Sequence, residues 1–204
     1  MVGGSNPPAG AFIMKRIILV HGWSGSPEAD LFLWFKDELE KKGFKVECPS
    51  MPNADKPEIK AWVSELSKVV GKPDDNTFFI GHSIGCQTIM RYLETLKGTK
   101  VGGAVFVAGW FNLENLETDE ERLIAKPWIE TQIDTEKIKK ACNKFIAIFS
   151  DNDPFVPLTD SKLFKNKLGA KIVIEKNKGH FTSEDGVTTL PIALNAVLEL
   201  AVEC

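Results

Sequence analysis

The residues best suited to chemistry in this chain are one serine, one histidine and a pair of aspartates. The serine lies at the centre of Gly81-His82-Ser83-Ile84-Gly85, directly after the apolar run 77–80. A Gly-x-Ser-x-Gly turn between a strand and a helix exposes the serine hydroxyl above a sheet, and its glycines leave room for the sharp backbone. Helically spaced apolar residues follow the turn. The stretch predicts a nucleophile elbow; the alternative is a glycine-lined turn with a capping serine.

A serine hydroxyl attacks a carbonyl at neutral pH only with a base within hydrogen-bond reach and a third group that orients the base. The chain has three histidines. His82 is expected to point away from the neighbouring Ser83 hydroxyl, and His21 is expected to brace the loop that it precedes. His180, which follows the last predicted strand, is therefore the candidate base, with an exposed loop residue as the alternative.

Two aspartates compete for the orienting role. In α/β-hydrolases the acid lies between the serine and the histidine in chain order, and here the stretch 150–157 holds both Asp151 and Asp153. Asp153 is preferred because the rigid Pro154 can fix its direction, whereas an aspartate in such a turn often only caps it. Asp151 stays the alternative.

Backbone donors and aromatic walls complete the predicted site. The N–H of Ile84, next to the serine, and the N–H of Trp23, in the loop after the first strand, are expected to stabilise an oxyanion. Trp23, Trp110 and Phe155 are candidate apolar walls for a substrate. Trp110 follows a central strand, so it could equally be a core residue, and Trp23 could be a surface aromatic closing its loop.

These residues need a scaffold that brings distant loops together, and the rest of the chain predicts one. Apolar runs alternate with helical patterns, which predicts a doubly wound parallel α/β sheet of about six strands with helices on both faces. Ligands bind at the carboxyl ends of such strands, where all the candidate residues lie. Strands are expected at 16–20, 44–48, 77–80, 101–109, 145–150 and 171–175; helices are expected at 31–39, 59–70, 84–97, 135–141, 158–168 and 191–203.

The connection 110–133 interrupts this alternation after the fourth strand. It is acidic, with tryptophan and proline residues, and long connections of this kind are usually tied to function or to disorder. We expect a small flap. Because so short a flap cannot enclose a long acyl chain, we expect a shallow pocket that favours small acyl groups.

Length and composition indicate a globular protein of one domain. The chain has 204 residues, of which 43% are hydrophobic and 26% charged, with a net charge of -3. A domain at 15–204 is expected, preceded by a leader at 1–14. No basic excess favours nucleic acid, no apolar run is long enough to span a membrane, and four well-separated cysteines indicate neither a metal site nor a disulfide framework. We expect a cytoplasmic protein without metal or cofactor.

The motifs together resemble those of the small α/β-hydrolases of the retinoblastoma-binding-protein-9 type. The resemblance runs from Lys15 to the end of the chain. It implies a minimal α/β-hydrolase fold and the catalytic residues Ser83, Asp153 and His180. The Leu-x-Cys-x-Glu sequence associated with retinoblastoma binding is absent, so no such partner is expected. The matching stretches are Val20-His21-Gly22, Gly81-His82-Ser83-x-Gly85, Lys126-Pro127-Trp128, Lys137-Ile138-Lys139, Asp153-Pro154-Phe155-x-Pro157 and Gly179-His180-Phe181.

The sequence thus predicts a cofactor-independent serine hydrolase, a carboxylesterase that cleaves small-molecule esters of small acyl groups through an acyl-enzyme. The alternative is a non-catalytic binding or scaffold protein on the same fold, because function depends on the site and not on the fold. The enzyme is favoured because a scaffold has no physical need for a nucleophile, base, acid and two backbone donors together.

Overall fold

The computed structural model describes residues 14–202, which form one six-stranded sheet flanked by helices. The strands are β1 (Arg16–Val20), β2 (Lys45–Glu47), β3 (Thr77–His82), β4 (Gly103–Val107), β5 (Phe145–Ser150) and β6 (Lys171–Glu175). The helices are α1 (Asp30–Lys41), α2 (Ile59–Val70), α3 (Ile84–Thr95), α4 (Asp119–Glu130), α5 (Thr135–Ala141), α6 (Asp160–Leu168) and α7 (Pro191–Val202).

All neighbouring strands are parallel, in the order β2-β1-β3-β4-β5-β6. The direction in which strands are added changes at β1, because β2 pairs with one edge of β1 and β3 pairs with the other edge. The carboxyl ends of β1 and β3 therefore flank the crevice in which such sheets bind ligands. His21 follows β1 and Ser83 follows β3, so the topology alone places both at this crevice.

The central strands are buried on both faces. Every residue of β3, β4 and β5 is buried, which explains why these segments are continuous apolar runs and do not alternate. The predicted fold class and six-stranded parallel sheet are confirmed. The predicted strands 44–48 and 101–109 were too long at both ends, and the helix predicted at 158–168 begins at Asp160.

The flap (residues 110–133) lies after β4, as predicted, but it contains a helix that the sequence analysis did not predict. Helix α4 begins with a capping box, in which Glu121 N–H donates to the Thr118 hydroxyl and the Glu121 carboxylate accepts from Thr118 N–H. Pro127 obscured the helix in sequence, since proline usually ends one. Here it lies in the last turn, and the Thr-x-x-Glu pattern was the signal that could have revealed α4.

The elbow helix α3 holds both ends of the flap. Gln87 donates to the carbonyl of Trp110 at 2.8 Å, and Arg91 donates to Gln87 Oε1 at 3.2 Å. Nη2 of the buried Arg91 also donates to the carbonyls of Trp128 and Thr131, at 2.8 and 2.9 Å. A guanidinium at these carbonyls complements the negative end of α4. The flap is thus fixed to the helix that begins at Ser83.

The expected leader at 1–14 lies outside the described residues except for Met14. None of the helices within residues 14–202 has the length and apolar character needed to cross a bilayer.

Candidate active site

The turn from β3 to α3 has the geometry expected of an elbow. Ser83 has φ 52° and ψ -120°, a conformation that non-glycine residues rarely adopt. The two glycines are sterically required, as predicted. A Cβ at Gly81 would lie 2.7 Å from Ile89 Cδ1, and one at Gly85 would lie 2.2 Å from the carbonyl oxygen of Val20. The tight turn therefore packs the start of α3 directly against the end of β1.

His180 lies between Ser83 and Asp153. Its Nε2 is 2.9 Å from Ser83 Oγ, and its Nδ1 is 2.9 Å from Asp153 Oδ2 and 3.1 Å from Oδ1. Both partners are well shielded, with side-chain exposures of 12% for His180 and 2% for Asp153. In this arrangement Nδ1–H donates to the carboxylate, which leaves Nε2 as the acceptor for the serine proton. These three residues were brought together from three different loops.

The two competing aspartates have different environments. Asp153 Oδ1 accepts the N–H groups of Phe155 and Val156, at 2.9 and 3.0 Å, which orients the carboxylate toward His180. Asp151 is exposed and accepts the N–H of Asn177 at 2.8 Å. Asp151 therefore holds backbone of the loop that carries His180, whereas Asp153 contacts its ring.

The His180 loop (residues 176–186) is held by side chains that the sequence analysis did not identify. Four consecutive backbone N–H groups, 177–180, each donate to a different side chain. The acceptors, in order, are Asp151 Oδ1 at 2.8 Å, Ser150 Oγ at 3.0 Å, Asn152 Oδ1 at 2.9 Å and Asp185 Oδ2 at 2.8 Å. Sequence gives no pattern for the first three contacts, because their partners are more than twenty residues apart, whereas Asp185 lies five residues after His180. They fix the backbone on the N-terminal side of the His180 ring.

The other two histidines are buried and bonded to backbone groups. His21 Nε2 accepts the N–H of Met51 at 3.0 Å, and its Nδ1 donates to the Gly22 carbonyl at 2.9 Å. His82 Nε2 lies 2.7 Å from the carbonyl oxygen of His180. Burial lowers the pKa of both; that of His82 falls to about 4, with the neighbouring His180 as a second cause. Neither ring contacts the Ser83 hydroxyl, as the sequence predicted.

Two backbone N–H groups beside Ser83 are left without a hydrogen-bond acceptor among the described residues. Within residues 14–202 the N–H groups of Trp23 and Ile84 make no hydrogen bond. The loop of Trp23 is fixed by Ser24, which has φ 52° and donates its N–H to the Ala54 carbonyl at 2.9 Å. The Trp23 indole is also fixed, since its Nε1 donates to the Asp55 carbonyl at 2.9 Å. Unpaired N–H groups beside a nucleophile are suited to an incoming oxyanion.

A cleft of about 600 Å³ opens above Ser83 and His180, within the size range of small-molecule sites. Trp23, Trp110 and Phe155 all line it. Phe155 is 38% exposed, and its ring stands edge-on to that of His180 with centroids 5.3 Å apart. Trp110 is only 1% exposed, so it forms the floor as part of the core. The flap contributes Leu113, Leu116 and Ile124, which the sequence analysis did not select.

Comparison with known proteins shows which proteins the chain is similar to. Residues 17–199 match the serine hydrolase family model. The chain is 29% identical over 185 residues to YdeN of Bacillus subtilis, covering 90% of this chain and 94% of that protein. It is 28% identical over 172 residues to the serine hydrolase RBBP9 of Rattus norvegicus, covering 82% of each.

Solved structures show the same fold. The crystal structure of the ydeN gene product from B. subtilis superimposes with a TM-score of 0.84 at 28% identity, covering 92% of this chain and 98% of that one. Est1E from Butyrivibrio proteoclasticus, at 16% identity, has a TM-score of 0.70 over 93% of this chain and 89% of its own. The resemblance inferred from the motifs is confirmed: the chain belongs to the serine hydrolase family.

Proposed function

We propose that this hydrolase is a carboxylesterase that cleaves small-molecule esters of small acyl groups through an acyl-enzyme on Ser83. The observation that carries the proposal is the continuous contact from Ser83 Oγ through the His180 ring to Asp153, at 2.9 Å for each step. A non-catalytic protein gains nothing from a serine held at φ 52° in line with a base.

The chemistry follows from the positions of the donors and acceptors. Ser83 Oγ attacks the ester carbonyl as its proton passes to His180 Nε2, and Asp153 stabilises the imidazolium through Nδ1–H. The N–H groups of Trp23 and Ile84 donate to the oxyanion. When the tetrahedral intermediate collapses, His180 returns the proton to the departing alcohol. A water molecule then repeats the sequence on the acyl-enzyme and releases the acid.

The cleft favours neutral esters over anionic ones. Its rim carries three carboxylates and one lysine, and Lys56 Nζ is paired with Glu120 at 2.7 Å. Because the charge around the mouth is negative, it opposes the approach of substrates that bear phosphate or free carboxylate groups. The rim carboxylates are Asp55, Glu120 and Glu121.

The short flap, and not the volume of the cleft, is the basis for proposing a small acyl group, because about 600 Å³ could also hold a longer one. The flap lines the cleft through Leu113, Leu116 and Ile124, and we propose that it leaves the far end of a long acyl chain outside the cleft. Methylenes that extend past the flap stay in water and lose the roughly 0.8 kcal/mol that burial of each would contribute.

A series of p-nitrophenyl esters of increasing acyl length, with Ser83→Ala as control, tests the proposal. We expect kcat/KM to be highest from acetyl to butyryl and to fall beyond about six carbons. A fluorophosphonate probe should label the wild type at Ser83 and should not label Ser83→Ala. Labelling of Ser83→Ala would contradict the assignment of Ser83 as the nucleophile. A preference for octanoyl or longer esters would contradict only the proposal of a small acyl group.

A further inference from the structure

Three loops of the cleft meet at His82, the residue before the nucleophile. Its Nε2 lies 2.7 Å from the carbonyl oxygen of His180, and the two rings have centroids 5.0 Å apart. On its other side His82 lies against Gly22, where a Cβ would approach Nδ1 to 2.7 Å. The glycine after His21 is therefore required by the space that the His82 ring occupies. No step of the proposed mechanism uses this buried ring.

The contact fixes the protonation of His82. A carbonyl oxygen only accepts, so Nε2 must carry the hydrogen. Burial lowers the pKa of His82 to about 4, so the ring is neutral near pH 7 and Nδ1 carries no proton. A neutral ring matters at this distance, because a second cation beside His180 would oppose the imidazolium that forms when Ser83 loses its proton.

The backbone around His180 needs such support. Gly179 has φ 52° and Phe181 has φ 58°, so the catalytic histidine lies between two residues in the left-handed region. The backbone N–H of His180 donates to Asp185, and its carbonyl accepts from His82. Conformations of this kind persist only when surrounding contacts fix them. His82 supplies the contact on the carbonyl side.

We propose that His82 is a positioning residue: by donating to the His180 carbonyl it holds the His180 ring between Ser83 and Asp153. The inference rests on the proposed function, since it assumes that His180 is the base for Ser83. It gives the elbow a second role, because the residue beside the nucleophile also holds the loop that carries the base.

Replacing His82 with glutamine or methionine separates positioning from packing. Glutamine keeps an N–H donor near the position of Nε2, whereas methionine fills similar space without a donor. The measurements are the second-order rate of Ser83 labelling by a fluorophosphonate, kcat and KM for p-nitrophenyl butyrate, and the melting temperature.

We expect His82→Met to lower both the labelling rate and kcat by about 10- to 100-fold, with KM changed by less than about twofold, because a displaced base slows chemistry more than binding. His82→Gln should stay within about fivefold of the wild type. If His82→Met does not fold, His82→Asn replaces it, since its amide is too short to reach the carbonyl.

The positioning role would be overturned if His82→Met were labelled at the wild-type rate. It would also be overturned if His82→Gln and His82→Met lost labelling rate and kcat to the same extent. Labelling that persists in Ser83→Ala would instead overturn the proposed function. The labelling rate needs only an activated serine, so the test of His82 does not depend on the choice of ester.

Discussion

The two walls of the cleft are held in different ways. The wall that carries Ser83 and His180 consists of strained loops whose backbone groups are bonded to side chains, with left-handed backbone at both Ser83 and Phe181. The opposite wall, the flap, is held by a helix that buries Trp128 and by Arg91 at its last carbonyls. Loss of one hydrogen bond in the first wall should therefore lower kcat. Loss of packing in the second wall should instead lower the free energy of unfolding.

The largest effect is expected at the first wall, from Asp153→Asn. An amide cannot stabilise the imidazolium of His180 and can favour the wrong tautomer, so kcat should fall by about 10⁴, as in serine proteases. The melting temperature should change little because the side-chain volume is preserved. Steady-state kinetics with p-nitrophenyl butyrate and thermal unfolding of the same sample measure both.

Asp151→Asn is the matched control, because Asp151 is the neighbouring aspartate and its carboxylate accepts the backbone N–H of Asn177. Its amide oxygen can still accept that N–H, so we expect less than about a tenfold loss of kcat, equal to roughly 1.4 kcal/mol. If Asp151→Asn were the more damaging change, the acid role would move to Asp151, and the contact between Asp153 and His180 would not be the one used in catalysis.

The sequence predicted the first wall better than the second. Gly81, Ser83 and Gly85 have steric roles that can be recognised from the local motif Gly-x-Ser-x-Gly. The parallel sheet could be predicted because its central strands are continuous apolar runs. The contacts to the His180 loop could not be predicted, because they join residues that are distant in sequence and of common type. Helix α4 was missed because the capping box at Thr118 was not recognised and because Pro127, which cannot donate to the carbonyl four residues before it, argued against a helix.

Trp110 lies where the two walls meet, and Trp110→Ala should mainly destabilise the protein. The side chain is 1% exposed, so its removal leaves a cavity and should lower the free energy of unfolding by about 3–5 kcal/mol. Urea denaturation gives the value. Trp110→Phe should cost much less, because within residues 14–202 the indole Nε1 has no hydrogen-bond partner to lose.

The acyl-length profile of the same variants decides whether Trp110 also limits the substrate. As a core residue beneath the cleft, it should leave the optimum unchanged in Trp110→Phe. A shift toward longer esters in Trp110→Ala without loss of stability would mean that the ring closes the pocket and is not part of the core.

Acid should destabilise the protein through the two buried histidines, His21 and His82. His82 and His21 have lowered pKa values in the folded chain, whereas in the unfolded chain they titrate near 6.5. Below pH 6.5 the unfolded chain therefore binds more protons than the folded chain. The free energy of unfolding then decreases as the pH is lowered, and the part of this decrease that comes from His82 is complete near pH 4.

The His82 contribution can be isolated by comparing the wild type with His82→Gln in urea at a series of pH values. His82 accounts for roughly 3 kcal/mol across this window if its burial is the cause. The charged and titratable groups that act on it are His180, Asp153 and His21, which both proteins share. Parallel stability curves for the two proteins would show that His82 is not held neutral in the fold.

The smallest effect is expected where the walls meet at the mouth of the cleft, from Lys56→Ala. Lys56 pairs with Glu120 of α4 at 2.7 Å, but the side chains are 63% and 64% exposed, so water screens the pair. We expect no measurable change in melting temperature and less than about a twofold change in kcat/KM for a neutral ester, with Glu120→Ala behaving alike. The pair joins the flap to the loop before α2. The flap also contacts the loop after Asp153 directly, because Glu114 N–H donates to the Phe155 carbonyl at 2.8 Å. A change in KM of about tenfold or more in both variants would mean that this exposed pair holds the flap over bound substrate, and it would contradict the assignment of the smallest effect to Lys56.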